Sequence, residues 1–150
     1  MAELVANEKT TIIEANKQDL KNYKGDDLAM ADRLKVDDAK IEGMILSLQQ
    51  LACQTDPLGV ERFAFTHENG IQVSNKTAPF GTVCIIYESR PDVTIEATGI
   101  AFKSGNKIVL KGGKESLRSN LALVSLWHKA LEENDCSIDW VTYLEFNREQ

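Results

Sequence analysis

The chain has 150 residues, of which 43% are hydrophobic and 27% charged, and a net charge of −6 from 17 basic and 23 acidic side chains. That size and mix predict one folded domain with a sizeable core and exclude a disordered polymer. The acidic excess, with no basic stripe against it, argues against a nucleic-acid partner, and no apolar run reaches bilayer-spanning length, so no membrane partner is expected either.

Met1-Ala2-Glu3-Leu4 lacks the basic-then-apolar pattern of a secretory leader, which points to the cytoplasm. The first helix is expected over about residues 7 to 23, weakly patterned, with Ile12, Ile13 and Leu20 as its buried points, and Lys24-Gly25-Asp26-Asp27 breaks it. A second helix covers about residues 27 to 34. The third is clearer: Ile41, Met44, Ile45, Leu48, Leu51 and Ala52 recur at steps of three and four, one apolar stripe that Asp56-Pro57 ends. These helices carry no recognisable chemistry and read as packing elements. Val60 to Thr66 alternates in character, Glu68-Asn69-Gly70 is a turn signal, and Ile71 to Ser74 returns in the same style. The segment therefore reads as a β-hairpin, too small to stand without a partner surface.

Thr82 to Tyr87 is near-continuously apolar, as in a parallel strand covered on both faces, with Cys84 a small buried residue inside it. Ile95 to Phe102 follows as a crossover helix whose small Thr98 and Gly99 allow close approach to the sheet. Ser104-Gly105-Asn106 closes it with a glycine suited to a left-handed helix end. Lys107 to Leu110 is the second strand. Leu117, Leu121, Val124, Trp127 or His128, and Leu131 mark the next helix, Ile138 to Leu144 a third strand, and residues 145–150 run out before another helix can form. His128 reads as a helix-flank residue and His67 as surface. Cys53, Cys84 and Cys136 are too few and too scattered for a disulfide framework or a metal site, so reduced thiols and no metal are expected.

Both parallel strands end in chemistry. The first runs into Glu88-Ser89-Arg90-Pro91 and the second into Lys111-Gly112-Gly113-Lys114. In an open parallel sheet ligands collect at the carboxyl ends of the strands, so the two tetrads are expected side by side on one functional edge. Glycines let backbone approach a ligand closely, and the bracketing lysines supply donors and positive charge for ribose hydroxyls or phosphate. This is not a P-loop, because Ile108 stands where the first glycine would be and Glu115 where a Ser or Thr would follow the lysine. On these residues alone, a tight turn with solvated lysines is slightly favoured over a binding loop. Pro91 suits the first turn of a helix, which places Ser89 and Arg90 at its start, where amides and the helix dipole favour anions; Arg90 paired with Glu88 or Asp92 is the alternative.

Tyr87-Glu88-Ser89-Arg90-Pro91-Asp92-Val93, Lys103-Ser104-Gly105-Asn106 and Leu110-Lys111-Gly112-Gly113-Lys114-Glu115 resemble the signature runs of the γ-glutamyl phosphate reductase family, the glutamate-5-semialdehyde dehydrogenase branch of the aldehyde dehydrogenase superfamily. The similarity extends from Glu14-Ala15-Asn16-Lys17-Gln18-Asp19-Leu20 to the far end, and it implies an amino-terminal fragment, since family members are much longer. It also implies an α/β fold in which amino-terminal helices (1–56) and a β-hairpin (57–78), an oligomerisation element or, as the alternative, a cover for one sheet edge, lead into the first part of a Rossmann-like NADPH-binding sheet (79–150).

The function implied is reduction of L-glutamate 5-phosphate to L-glutamate 5-semialdehyde with release of phosphate, in proline biosynthesis. Lys111, Gly112, Gly113, Lys114 and Glu115 are then cofactor contacts. Lys114 falls where related dehydrogenases place a glutamate on the ribose, and a cation there suits a 2′-phosphate, hence NADPH over NADH. Ser89 and Arg90 become substrate contacts. The family's cysteine nucleophile lies downstream of this region, so no catalytic residue is assigned and the segment alone is expected to be inactive. A homo-oligomer and association with glutamate 5-kinase are the implied partners. A non-catalytic nucleotide-binding module, an assembly segment and a related aldehyde dehydrogenase are the alternatives.

Overall fold

Four helices open the chain in the computed structural model, which describes residues 1–145. They are α1 (Ala2–Asn7), α2 (Lys9–Asn22), α3 (Leu28–Leu34) and α4 (Asp38–Cys53). The short α1 was not expected; it stacks against α4 and buries Val5 fully. Asp27 caps α3 by accepting from the Ala29 and Met30 amides at 2.9 and 3.2 Å, and Asp37 caps α4 through the Lys40 amide at 3.1 Å. The stripe on α4 is as expected at Ile41, Met44 and Leu48, each of which contributes roughly 1.5–3 kcal/mol by leaving water.

Strands β1 (Glu61–Thr66) and β2 (Gln72–Lys76) form the expected antiparallel hairpin, Phe65 opposite Val73. The turn is closed by the Gly70 amide donating to the His67 carbonyl at 2.8 Å, with Gly70 at φ 86°. Both strands are exposed throughout, as is His67.

The second half is a three-stranded parallel sheet in the order β3 (Thr82–Ile86), β4 (Lys107–Lys111), β5 (Val141–Tyr143). Helix α5 (Pro91–Lys103) crosses from β3 to β4. A 3-10 turn (Lys114–Ser116) and α6 (Leu117–Glu132) lead from β4 towards β5. Gly105 at φ 71° ends α5 as its sequence implied. Residues 138–144 are less regular than a full strand, because Ile138–Trp140 is a 3-10 turn before β5 begins. The expected run-out over 145–150 lies, beyond Glu145, outside the described residues.

Two expectations are corrected by the packing. Helices α5 and α6 cover one face of the sheet, burying Ile108, Leu110 and Val141. On the opposite face Cys84 and Ile86 are exposed, so among the described residues β3 is an edge strand covered on one side only, and Cys84 is not a buried hydrophobe. Helix α6 meets α2, α5 and the sheet at once, so its buried set widens to Leu123, Val124, Leu126, Trp127 and Ala130, while Leu117 and Leu121 are only half-buried. His128, half-buried on its flank, holds the Val141 carbonyl through Nε2 at 2.8 Å.

Candidate functional site

The register Ile86 opposite Lys111 brings the ends of β3 and β4 level, and the Tyr87 amide donates to the Lys111 carbonyl at 3.0 Å. Beyond Tyr87 the chain must turn sharply into α5, whose first residue is Pro91. Ser89 makes that turn at φ 44°, a left-handed conformation that costs a non-glycine residue about 1 kcal/mol or more. Ser89 is 1% exposed, and neither its Oγ nor the buried Oδ1 of Asp92 has a hydrogen-bond partner among the described residues. Hydroxyls so placed usually have a partner, which makes this one a candidate ligand contact. Arg90 is exposed at the N-cap of α5.

The facing turn uses its two glycines differently. A Cβ on Gly112 would stand 2.2 Å from Asn120 Nδ2 and 2.7 Å from the Tyr143 hydroxyl, so its smallness serves packing inside the protein. A Cβ on Gly113 would stand 2.6 Å from Glu115 Oε2 and 3.5 Å from the Ser89 amide nitrogen. Gly113, itself half-buried, is therefore where the two strand-end loops close on each other. Lys111 Nζ donates to the Gly112 carbonyl at 3.3 Å, Lys114 is exposed, and Glu115 is half-buried.

Beneath the turn lies a buried polar chain that the sequence did not announce. The Tyr87 hydroxyl bonds Thr94 Oγ1 at 2.6 Å, and Thr94 donates to Asn120 Oδ1 at 3.1 Å. Asn120 Nδ2 donates to Ser116 Oγ and to the Tyr143 hydroxyl, each at 3.0 Å, and Ser116 donates to the Gly113 carbonyl at 3.2 Å. Burial pushes the Tyr87 phenol well above its ordinary value, against the opposing bond to Thr94, with Tyr143 adding a smaller push. Thr94 has one hydroxyl proton and gives it to Asn120 Oδ1, so the Tyr87 hydroxyl is the donor to Thr94, and the chain runs Tyr87 to Thr94 to Asn120. The links tie the ends of β3 and β5 to the starts of α5 and α6 and those two helices to each other, so the site is held by bonds that are strong in a dry interior.

The amino-terminal helices also reach this edge. Asp19 on α2 is buried and accepts from the Arg118 and Ser119 amides at 3.2 and 2.8 Å and from the Ser119 hydroxyl at 2.7 Å. It caps α6 from about a hundred residues away in sequence, where a carboxylate also meets the positive end of the helix dipole. Asn16 completes the joint: its Nδ2 donates to the Leu34 carbonyl and Ser119 Oγ, and its Oδ1 accepts from the Val36 amide. One signal could have found these residues. Ile12, Asn16 and Asp19 fall at steps of four and three, a stripe in which polar side chains continue an apolar one.

No protein-family model matches the chain. A gamma-glutamyl phosphate reductase of Thermodesulfovibrio yellowstonii is 36% identical over 152 aligned positions, which take in 100% of this chain and 36% of that protein. The crystal structure of gamma-glutamyl phosphate reductase from Thermotoga maritima superposes with a TM-score of 0.94 at 36% identity over 99% of this chain and 36% of its own. The enzyme of that name from Saccharomyces cerevisiae gives 0.86 at 28% identity, over 98% of this chain and 39% of its own. The chain thus spans little more than a third of the length of the relatives it matches. In sequence and in fold alike, it belongs to the γ-glutamyl phosphate reductase family, whose amino-terminal part it matches.

Proposed function

We propose that this segment is the cofactor side of an enzyme that reduces L-glutamate 5-phosphate to L-glutamate 5-semialdehyde with release of phosphate. One observation carries the reading: the Gly113 turn closes on the Ser89 turn at the level ends of two parallel strands, and the buried Ser89 hydroxyl has no partner among the described residues. That is the arrangement expected of a nucleotide edge on a Rossmann-like sheet. The residues fit such a cofactor by their donor set. Lys111, Lys114 and the Gly113 backbone face ribose hydroxyls and phosphate, with Gly112 packed behind them, and the Glu115 carboxylate can accept from a ribose hydroxyl. When bound, NADPH supplies the hydride that brings the acyl carbon to the aldehyde level. Ser89 and Arg90, at the start of α5, hold the anionic substrate by hydroxyl and guanidinium with the helix dipole behind them.

None of the three cysteines stands at the two strand ends. Cys84 lies inside β3 on the open face, Cys53 ends α4, and Cys136 follows α6. We therefore place the nucleophile outside this segment and expect no turnover from it alone. The hairpin, with Phe63, Phe65, Ile71 and Val73 exposed, is read as an assembly element of a cytoplasmic homo-oligomer, and glutamate 5-kinase as a further partner.

The test is a fluorescence titration of the complete protein with NADPH and NADH. Lys114→Glu should weaken NADPH by tenfold or more, roughly 1.4 kcal/mol, while leaving NADH nearly unchanged. Equal losses for both dinucleotides would remove Lys114 from the phosphate. Arg90→Ala should lower the specificity constant for the acyl phosphate, and an unchanged value would reduce Arg90 to a surface residue.

A further inference from the structure

A cleft of about 680 Å³ opens beside the glycine turn, and half of its wall comes from the amino-terminal helices: Asp19, Asn22, Tyr23, Lys24 and Gly25 face Lys114, Glu115 and Arg118. Three of these side chains are cationic in a chain whose net charge is −6. The described ion pairs are Lys9–Glu42 and Lys35–Asp37, so none of the three is neutralised by a carboxylate within salt-bridge distance. Of the nearby carboxylates, two are otherwise engaged. Asp19 caps α6, and Asp27 caps α3. Glu115 stands near Tyr23, whose phenol is raised first by desolvation, then by Asp27 and Glu115.

The walls are shaped for contact. Tyr23 folds back over its own turn, its hydroxyl donating to the Asp27 carbonyl at 3.3 Å, and a Cβ on Gly25 would stand 2.4 Å from that hydroxyl. Glycine at 25 thus lets the ring lie along the cleft. Arg118 Nη1 donates to Gln18 Oε1 at 3.1 Å, which orients the guanidinium and leaves its other donors for a ligand.

We propose that this cleft is the 2′-phosphate pocket of the dinucleotide, so that the amino-terminal helices are part of the cofactor site: Lys24 and Arg118 bind the phosphate together with Lys114, and Tyr23 offers its ring to the adenine. The proposal rests on the NADPH reading above and adds a second segment to it. Two ammonium groups and a guanidinium fork around an open cleft gain far more from a dianionic phosphate than from a free ribose hydroxyl. Discrimination between the two dinucleotides then depends on residues about ninety positions apart in sequence, joined through the Asp19 cap.

The experiment measures NADPH and NADH affinities of the complete protein by fluorescence, with adenosine 2′,5′-bisphosphate and 5′-AMP as competitors, for the wild type, Lys24→Gln and Arg118→Gln. Each substitution should raise the NADPH dissociation constant about five- to tenfold, leave NADH within about twofold, and weaken the bisphosphate but not 5′-AMP. Both side chains are exposed, and the Asp19 cap uses the backbone of Arg118, so the fold should survive; a thermal melt checks each variant, and Lys24→Gln decides alone if Arg118→Gln melts early. Unchanged NADPH affinity in a folded variant, or equal losses for both dinucleotides, overturns the pocket while leaving the NADPH reading intact. A wild type that binds neither dinucleotide, or both equally, overturns the NADPH reading itself.

Discussion

The glycine turn between β4 and α6 and the hairpin β1–β2 are both short, polar-tipped connections between extended segments, yet they are held in opposite ways. At the glycine turn a buried run of five side chains, from Tyr87 to Ser116, ties the loop to two helices and two strands. Along the hairpin the described bonds join one strand to the other and to its own base at Thr77, and Phe63 and Phe65 stack at 6.4 Å in the open. The first region is fixed by its own interior. The second has the sequence of a sheet and no surface to lie on, the condition in which a two-stranded ribbon is marginal. On the proposed reading, a ligand site is organised before its ligand arrives, whereas an assembly element leaves its order to the partner.

Substitutions that sharpen this contrast can be ranked. Asp19→Ala should cost the most, about 3 kcal/mol, because it strips a charged acceptor from two amides and a buried hydroxyl at the start of α6. Denaturant unfolding measures it; a loss below 1 kcal/mol would mean that water caps the helix as well. Gly112→Ala should cost about 2 kcal/mol by driving a methyl into Asn120 and Tyr143, and should weaken nucleotide binding in step with stability. Retained stability with lost binding would instead place Gly112 against the ligand. Ser89→Gly should stabilise by about 1 kcal/mol, since it relieves a positive φ and removes an unpartnered hydroxyl, while lowering turnover of the complete enzyme. If both stability and turnover rise, the hydroxyl has no task. Phe65→Ser should change unfolding by less than about 0.5 kcal/mol and act on self-association instead, read by sedimentation. A large loss of monomer stability would show that the hairpin is packed after all and would remove the contrast.

Much of the fold was legible because its determinants are local. Asn69-Gly70 makes a hairpin turn and Gly105 ends a helix through backbone freedom available at that residue alone. Pro91 begins α5, and the α4 stripe repeats every three or four residues whatever it packs on. The candidate site was half legible. The two tetrads at the strand ends could be named, and topology alone predicts that parallel strands bring their ends together. That Gly112 serves the interior while Gly113 faces Ser89 could not be read, since two adjacent glycines look alike in a sequence.

Asn16, Asp19, Thr94 and Asn120 were missed for a related reason. A polar residue on a helix reads as solvent-facing unless its partner is known, and here the partners lie up to about a hundred residues away. The exposed Cys84 was misread because an apolar strand announces burial on two faces, while only one is covered among the described residues. By itself, then, the sequence determined most of the helices, strands and turns, α1 and the 3-10 turn before β5 apart, and which residue types stand at the strand ends. Only the tertiary structure decided which polar groups are paired, which glycine packs inside and which lies against Ser89, and that α2 caps α6 beside the strand ends, because burial and hydrogen bonding are properties of neighbours brought together by folding.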